Sequence, residues 1–315
     1  MKKVHLKLKK NVRNILIIIL FSGILIYAFI KVINNYKYKQ TNEYKLIQNG
    51  YSKDEVQKIL EILNEDDINK LANENKNNTI LLLIDNKYFK KDNLQRYLNY
   101  LKKSGITVED AISYVNVNKD LKPYENTFST DTFLNELMLV NKYYLLDENY
   151  NPEDLAIVSK KYTWGTTLVK KEVYDAFVNM WEDANKEGIY LMIRYGYISY
   201  IDQQTSYENY KKSKTEEKAD DTVYRPGASE HQTGYALDIL ELNHAILKEF
   251  NQTDAYNWLI ENSYLYGFIP RYPQGKEKIN DFDEAYHFRF VGKNAAKIIH
   301  DENITFEEYY AYYVK

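Results

Sequence analysis

The chain has 315 residues, 44% hydrophobic and 28% charged, which is enough for about two domains with a buried core. It contains no cysteine, which excludes disulfide scaffolds, thiolate metal sites and cysteine nucleophiles. Six of the 42 basic side chains lie in the first thirteen residues, which contain no acid, so 36 basic residues remain against all 45 acidic ones. The chain after the first thirteen residues is therefore acidic, which argues against nucleic acid as a partner because phosphates bind basic surfaces.

The first predicted element is a membrane helix. Residues 15–30 carry no charge, and extension to Ile33 gives nineteen residues, or about 28 Å of helix. A buried core helix and a cleaved signal peptide are the alternatives, but a cleavable signal has a shorter apolar run that ends in small residues. The positive charges before the run place the N-terminus in the cytoplasm. We therefore expect a basic cytoplasmic tail at 1–14 and a single-pass signal anchor at 15–33, with the bilayer as a partner and the body extracellular.

A polar stalk and a small membrane-proximal module are predicted at 34–125. Ser52 and Glu55 have the spacing of a capping box at the start of a helix. The pattern predicts a further helix at 94–103 and two short strands, at 79–85 (TILLLID) and at 114–117. Nothing in this region indicates a chemistry.

A catalytic domain is predicted at 126–315. Apolar residues from Val173 to Ala184 recur at helical spacing, and Gly188 ends that helix. Further along we expect three strands, at 189–194, 234–240 and 284–291. We also expect a helix at 247–263 and an exposed loop bordering a site at 205–228. Helices mixed with short strands, without βαβ regularity, indicate an α+β fold with a small antiparallel sheet and flanking helices.

Two polar clusters contain residues suited to metal chemistry. His231 and Asp238 lie in the first, and Glu284, His287 and Arg289 in the second. Two histidines and one aspartate form a three-ligand zinc site with an open position, where zinc lowers the pKa of water to roughly 7. A carboxylate outside the ligand set must then act as base, and Glu284 is well placed to do so. Two satisfied histidines beside surface acids are the alternative interpretation.

The residues around these positions resemble those of a known family. Residues 225–238 (RPGASEHQTGYALD) are similar to the Ser-x-His-x-x-Gly-x-Ala-x-Asp motif of the VanY-type D-alanyl-D-alanine carboxypeptidases, which are LAS zinc metallopeptidases. Residues 284–292 (EAYHFRFVG) are similar to the family's Glu-x-Trp-His-x-Arg-Tyr-Val-Gly. With intermediate segments in family order, the resemblance covers roughly residues 135–295.

The resemblance implies a zinc carboxypeptidase. His231, Asp238 and His287 match the Zn²⁺ ligands and Glu284 matches the catalytic base. The implied reaction is attack of zinc-activated water on the penultimate D-Ala carbonyl of a peptidoglycan stem pentapeptide, which releases the terminal D-Ala. From motif position and from the face of the last strand, we expect six residues to bind substrate: Arg289, Ser229, Gln232, Arg225, Gln203 and Tyr286.

One departure from the family pattern leaves the specificity open. The family's Ser-Gly-Tyr-Arg-Ser aligns with YGYIS at 195–199, so its arginine is Ile198, which binds neither a carboxylate nor an oxyanion. Arg194, Arg225 and Arg289 are candidate substitutes, and Arg289 is favoured because it shares a strand face with His287. The alternatives are an L,D-carboxypeptidase or a peptidoglycan endopeptidase of the same family, or a catalytically inactive wall-binding protein.

Overall fold

The computed structural model of the chain describes residues 10–103, 105–243 and 246–315. Most of the tail predicted at 1–14 therefore lies outside the described residues. The chain divides into two compact units, Met1–Leu94 and Gln95–Lys315. The second unit thus begins before the predicted start of the catalytic domain at residue 126.

The apolar helix predicted near the N-terminus is present as α1 (Lys10–Lys39). Within the described residues it is the one helix whose length and composition suffice to cross a membrane. None of its side chains is buried, although many are large and apolar. These properties fit a membrane span and a signal sequence alike.

Four short helices complete the first unit: α2 (Asn42–Gln48), α3 (Lys53–Ile62), α4 (Glu65–Ala72) and α5 (Asn78–Asp85). The capping box predicted at Ser52 and Glu55 is confirmed, since the backbone N–H of each residue donates to the side chain of the other, at 2.7 and 3.2 Å. Leu46 of α2 is fully buried, so part of the predicted polar stalk is packed rather than extended.

The strand predicted at 79–85 is wrong, because this run forms α5. Asn77 caps the helix by accepting from the backbone N–H of Thr79 at 3.0 Å. Ile80, Leu83 and Ile84 are buried at helical spacing. A short, almost continuous apolar run has no periodicity that distinguishes a buried strand from a buried helix.

The second unit opens with two helices, α6 (Leu94–Tyr100) and α7 (Val108–Asn116). The helix predicted at 94–103 is confirmed, whereas the strand predicted at 114–117 is wrong, since these residues end α7. Val117, after this helix, packs with Ile279 and Ala311. Residues that follow α7 thus share the core of the second unit.

Two small sheets come next along the chain. Strand β1 (Phe128–Ser129) pairs in parallel with β2 (Tyr144–Leu145), and β3 (Leu155–Ile157) pairs antiparallel with β4 (Leu168–Lys170). The segment after β2 runs beside residues 226–232, because the Leu146 N–H donates to the Gly227 carbonyl oxygen at 2.8 Å.

The main sheet is four-stranded and antiparallel, in the order β5-β6-β8-β7. Its strands are β5 (Leu191–Tyr195), β6 (Ala236–Glu241), β7 (Phe268–Pro270) and β8 (His287–Phe290). The three strands predicted in this domain correspond to β5, β6 and β8, with boundaries within a few residues. The α+β class and the small antiparallel sheet are therefore confirmed.

Six α-helices follow β4 in the described part of the chain: α8 (Lys171–Lys186), α9 (Tyr200–Ser213), α10 (Glu216–Asp220), α11 (Asp254–Asn262), α12 (Gly292–Glu302) and α13 (Phe306–Tyr309), which continues as a π-helical turn at Tyr310–Val314. The core lies between α8 and the sheet, where Val173, Phe177 and Met180 pack against Leu191 and Ile193. Gly188 follows the end of α8 with φ +84°, as the sequence predicts.

The exposed loop predicted at 205–228 is wrong, since α9 and α10 occupy most of it. Along α9 only Gln203 and Tyr207 are buried, so the helix presents almost no apolar stripe. Ser199 caps it by accepting from the Asp202 N–H at 3.1 Å. The absence of a stripe explains why hydrophobic periodicity failed to indicate this helix.

Asp281 ties the segment before β8 to the N-terminal part of the second unit. Its carboxylate, 3% exposed, pairs with Lys119 and accepts from the Tyr224 hydroxyl at 3.0 Å. Burial opposes its ionisation, but the charges of Lys119 and Lys142 outweigh burial and hold the pKa of Asp281 below its usual value. The pair therefore stabilises the fold wherever Asp281 is ionised.

Replacing Asp281 with asparagine is expected to lower the free energy of unfolding by about 3 kcal/mol at pH 7, because it leaves Lys119 partly buried and unpaired. A lowered folded pKa gives stabilisation that is complete above the unfolded value of ~3.9 and is lost as the pH falls through the folded pKa. The difference between wild type and Asp281→Asn should therefore shrink below about pH 4. Urea unfolding of the full chain in detergent, followed by circular dichroism at pH 7 and pH 3, measures both values.

Asp301→Asn is the matched control, because Asp301 pairs with Lys297 on the exposed surface of α12. Exposed pairs contribute little, so this variant should unfold like wild type at both pH values. An Asp281→Asn deficit that is the same at pH 3 and pH 7 would contradict the assigned ionic role.

Candidate metal centre

The three predicted ligands meet where the middle of β6 pairs with the start of β8. Asp238 and His287 are register partners across these strands. His231 lies in the 3₁₀ turn Glu230–Thr233, immediately before β6. Asp238 Oδ1 lies 2.9 Å from His287 Nδ1 and 3.4 Å from His231 Nε2, and the three ligand atoms lie within 4.8 Å of one another. The structure thus brings together three groups that could hold one metal ion.

The other nitrogen of each imidazole faces an oxygen behind the site. His231 Nδ1 lies 2.6 Å from the carbonyl oxygen of Gly196, and His287 Nε2 lies 3.5 Å from Glu230 Oε2. Ligating histidines are oriented in this way by carbonyl or carboxylate acceptors, which fix the tautomer. His231 Nε2 and His287 Nδ1 are left free to coordinate.

Gly196 brings its carbonyl close to His231 because it has no side chain. A Cβ at this position would overlap the carbonyl oxygen of Leu168 and the side chain of Val169. The backbone after Gly196 is fixed by two hydrogen bonds, since the Tyr197 N–H donates to the Leu168 carbonyl oxygen and the Ile198 N–H donates to the His231 carbonyl oxygen. Glycine at 196 is therefore required by space rather than by backbone conformation.

The charged forms of Asp238 and His287 stabilise each other, as the directions of their pKa shifts show. Burial opposes ionisation of Asp238, but His231 and His287 outweigh burial and hold the pKa of this carboxyl well below its usual range. Burial likewise disfavours the charged form of His287, yet Asp238 and Glu230 raise the pKa of its imidazole to about 9. The cluster is therefore strongly attractive to positive charge.

Carboxylates outnumber guanidinium groups around the site. The carboxylates are Asp238, Glu230, Glu307 and Glu284, and the guanidinium groups are Arg271 and Arg289. With both imidazoles neutral, these groups carry two excess negative charges, which a divalent cation would balance. Two imidazole nitrogens and one carboxylate oxygen are ligands that zinc prefers, and three protein ligands leave a position open for chemistry. The residues present therefore fit a catalytic zinc ion.

Glu284 lies beside the ligand set without belonging to it. The residue is half-buried just before β8, and the N–H of His287 donates to its backbone carbonyl at 3.1 Å. The Tyr286 hydroxyl donates to Glu284 Oε1 at 3.1 Å. Burial raises the pKa of Glu284, and a raised pKa brings a carboxylate closer to the range in which it exchanges protons efficiently. The Tyr286 hydroxyl thus fixes one oxygen of the Glu284 carboxylate next to the ligand set.

Three of the predicted substrate-binding residues are buried. Gln232 is fully buried and donates to the carbonyl oxygens of Asp147 and Tyr150, both at 3.3 Å. Gln203 is buried and donates to the Tyr224 carbonyl oxygen at 2.7 Å. Ser229 is buried where the His231 turn begins. The side-chain amides of Gln232 and Gln203 are thus engaged with backbone carbonyl oxygens of other segments.

The two arginines expected at the substrate are held elsewhere. Arg289 shares a face with His287, since both lie near Glu230, but it is fully buried and donates to the Glu136 and Met138 carbonyl oxygens at 3.0 Å. Arg289 is therefore enclosed in the core rather than exposed to a substrate. Arg225 donates to both carboxylate oxygens of Asp220, at 2.8 and 2.7 Å, and so is committed to α10.

Sequence reasoning missed four residues that support the ligands. Glu230 lies inside the motif at 225–238, where an acid directly before a ligand histidine was an available signal. Arg271 lies in a segment that matched the family. Gly196 lies in the YGYIS segment that aligns with a family motif, whereas Glu307 stands in no predicted motif, and only the folded chain shows that both lie behind the ligands.

Comparison with known proteins agrees with this geometry. The family model for VanY, described as D-alanyl-D-alanine carboxypeptidase, matches residues 166–293. "Putative carboxypeptidase YodJ" of Bacillus subtilis (strain 168) is 41% identical over 202 residues, which are 61% of this chain and 72% of that protein. The "Bifunctional D-Ala-D-Ala dipeptidase and D-Ala-D-Ala carboxypeptidase VanXYC" of Enterococcus gallinarum is 30% identical over 187 residues, 57% of this chain and 95% of that protein.

A solved structure is also similar. The structure of the LdcB LD-carboxypeptidase, which reveals the molecular basis of peptidoglycan recognition, is 40% identical with a TM-score of 0.56, and covers 60% of this chain and 92% of that one. The residues matched to the family model include all four strands of the main sheet, the three ligands and Glu284. The chain belongs to the VanY family of D-alanyl-D-alanine carboxypeptidases.

Proposed function

We propose that the protein is a membrane-anchored zinc D,D-carboxypeptidase that removes the terminal D-Ala from peptidoglycan stem pentapeptides outside the cell. One observation carries the proposal. His231 Nε2, Asp238 Oδ1 and His287 Nδ1 converge while the second nitrogen of each imidazole is oriented from behind, and Glu284 stays outside the set. This is the arrangement of a catalytic rather than a structural zinc site.

The residues have distinct roles in the proposed reaction. His231, Asp238 and His287 would hold zinc, which supplies Lewis acidity and makes water reactive near neutral pH. Glu284 accepts a proton from the attacking water and passes it to the leaving amine. A carbon–oxygen bond forms as the amide carbon–nitrogen bond breaks, so the products are a shortened peptide carboxylate and free D-Ala.

The proposed location follows from the N-terminal part of the chain. The apolar helix α1 is long enough to cross a bilayer. The six basic side chains at its start favour the cytoplasmic face, which would place residues after α1 outside the cell. An extracytoplasmic domain anchored in this way would meet peptidoglycan directly.

An L,D-carboxypeptidase acting on tetrapeptides is the second candidate, and one observation favours it. The similar solved structure is named as an LD-carboxypeptidase. Ile198 lies against the ligand turn, where its N–H donates to the His231 carbonyl oxygen at 3.2 Å, and its side chain offers no charge to a substrate carboxylate. This lack of charge concerns both candidates equally, because pentapeptide and tetrapeptide both end in a D-Ala carboxylate.

Incubation with synthetic stem peptides tests the choice of substrate. The full-length protein in detergent, loaded with zinc, is expected to remove one D-Ala from pentapeptide and to leave tetrapeptide unchanged, with products identified by mass spectrometry. Loss of D-Ala from tetrapeptide instead would assign L,D activity. No product from either peptide or from cross-linked wall, with zinc bound, would favour an inactive wall-binding protein and overturn the proposed reaction.

A further inference from the structure

A buried chain of ionic contacts joins the C-terminal helix to the second histidine of the metal centre. Arg271 is fully buried, and its Nε donates to Glu230 Oε1 at 2.8 Å. Its two terminal nitrogens donate to the two oxygens of Glu307 on α13, one of them at 2.9 Å. The guanidinium group thus bridges two carboxylates, and its contact with Glu307 is bidentate.

Glu230 lies between Arg271 and the candidate ligand His287. While Oε1 accepts from Arg271, Oε2 lies 3.5 Å from His287 Nε2. Neither Oε2 nor His287 Nε2 makes a hydrogen bond among the described residues, so their 3.5 Å approach is the polar contact available to both atoms. The orientation of the His287 ring therefore depends on where the Glu230 carboxylate is held.

The outer end of the chain lies beyond the part that matches the family. Glu307 follows the matched residues 166–293, and Asn141, which donates to Glu307 Oε1 at 3.1 Å, precedes them. Glu307 is itself 3% exposed. Two segments outside the matched region thus fix the guanidinium group that holds Glu230.

Loss of the Glu307 charge would change how the Arg271 guanidinium group is shared between Glu230 and Glu307. A guanidinium group prefers planar, bidentate pairing with a carboxylate. Without an anionic partner at 307, Arg271 would have Glu230 as its remaining close carboxylate partner. Bidentate pairing with Arg271 would then draw both Glu230 oxygens toward the guanidinium group and away from His287.

We propose that Glu307 is a positioning residue of the metal centre, which acts through Arg271 and Glu230 to orient His287. This inference rests on the proposed zinc site. It assigns a role in metal binding to the C-terminal helix, where no ligand is found.

The test compares two neighbouring glutamates of one helix. Glu307→Gln and Glu308→Gln each remove one buried negative charge from α13, but Glu308 contacts Ser113, Lys276 and the Thr305 backbone rather than Arg271. Zinc affinity of the metal-free full-length protein in detergent is measured by competition with a chromophoric chelator, and stability by thermal unfolding. We expect zinc to bind about 10-fold more weakly to Glu307→Gln, the lower end of the range for outer-shell partners, and unchanged to Glu308→Gln.

A second readout separates orientation from general destabilisation. The visible spectrum of bound Co²⁺ reports ligand geometry, so it should shift in Glu307→Gln and match wild type in Glu308→Gln. Glu307→Asp retains the charge and replaces Glu307→Gln in the comparison with Glu308→Gln if Glu307→Gln does not fold. It should lose less zinc affinity than the glutamine variant.

The outcomes distinguish this inference from the proposed function. Wild-type zinc affinity and Co²⁺ spectrum in a folded Glu307→Gln or Glu307→Asp protein, or equal losses in Glu307→Gln and Glu308→Gln, would overturn the positioning role alone. A wild-type protein that binds no zinc would overturn the metal centre itself, and the inference with it.

Discussion

Replacing Glu284 with glutamine is expected to lower kcat by about 10²–10⁴-fold, the contribution typical of a general acid–base group. Glutamine has nearly the same shape but cannot accept the proton of the attacking water. Zinc affinity should be unchanged, because the three converging ligand atoms belong to His231, Asp238 and His287. Turnover of the stem peptide that wild type cleaves, with zinc content measured on the same samples, gives both quantities.

Glu277→Gln is the matched control for this variant. Glu277 is an exposed acid in the segment before β8, and its carboxylate accepts from the Gly275 N–H at 2.7 Å. Its replacement should leave kcat at the wild-type value. Loss of zinc from Glu284→Gln would place Glu284 among the ligands and contradict its role as base.

Asp238→Asn is expected to remove both zinc and activity. Asp238 supplies the carboxylate between the two imidazoles, and an amide of the same size offers a weaker, uncharged ligand. We expect zinc affinity to fall beyond the ~10–100-fold typical of outer-shell changes, and kcat/KM to fall at least about 10³-fold, since Lewis-acid activation supplies several kcal/mol. Chelator competition and peptide turnover measure the two effects.

Asp283→Asn provides the comparison for Asp238→Asn, because Asp283 is an exposed acid next to Glu284. It should bind zinc as wild type does. If Asp238→Asn kept wild-type zinc affinity, the metal would have to be held by other groups and the ligand assignment would be wrong.

The ligands could be predicted from the sequence because they follow local rules. Alternation along β8 separates His287 and Arg289 from Phe288, and the short distance from His231 to Asp238 keeps both near the start of β6. Antiparallel pairing then brings Asp238 and His287 together as direct partners. Local pattern and strand pairing thus bring the three candidate ligands together.

The sequence could not predict how deeply individual side chains are buried or which distant segments cover them. Strand alternation placed Arg289 on the correct face, but carbonyl oxygens of Glu136 and Met138, about 150 residues earlier in the chain, cover it. Helix α9 was not predicted because it buries only Gln203 and Tyr207. The contacts that connect Glu307 to His287 through Arg271 correspond to no sequence motif. These features depend on contacts between distant segments, which no short window of sequence contains.

The close approach at Gly196 bears on how this protein tolerates random mutation. Every substitution there adds a Cβ into space already filled by the Leu168 carbonyl oxygen, and so displaces the carbonyl that orients His231. A screen for inactive variants would group position 196 with the histidines, although glycine contributes no side chain to the chemistry. Directed evolution of this protein therefore has to retain glycine at this position.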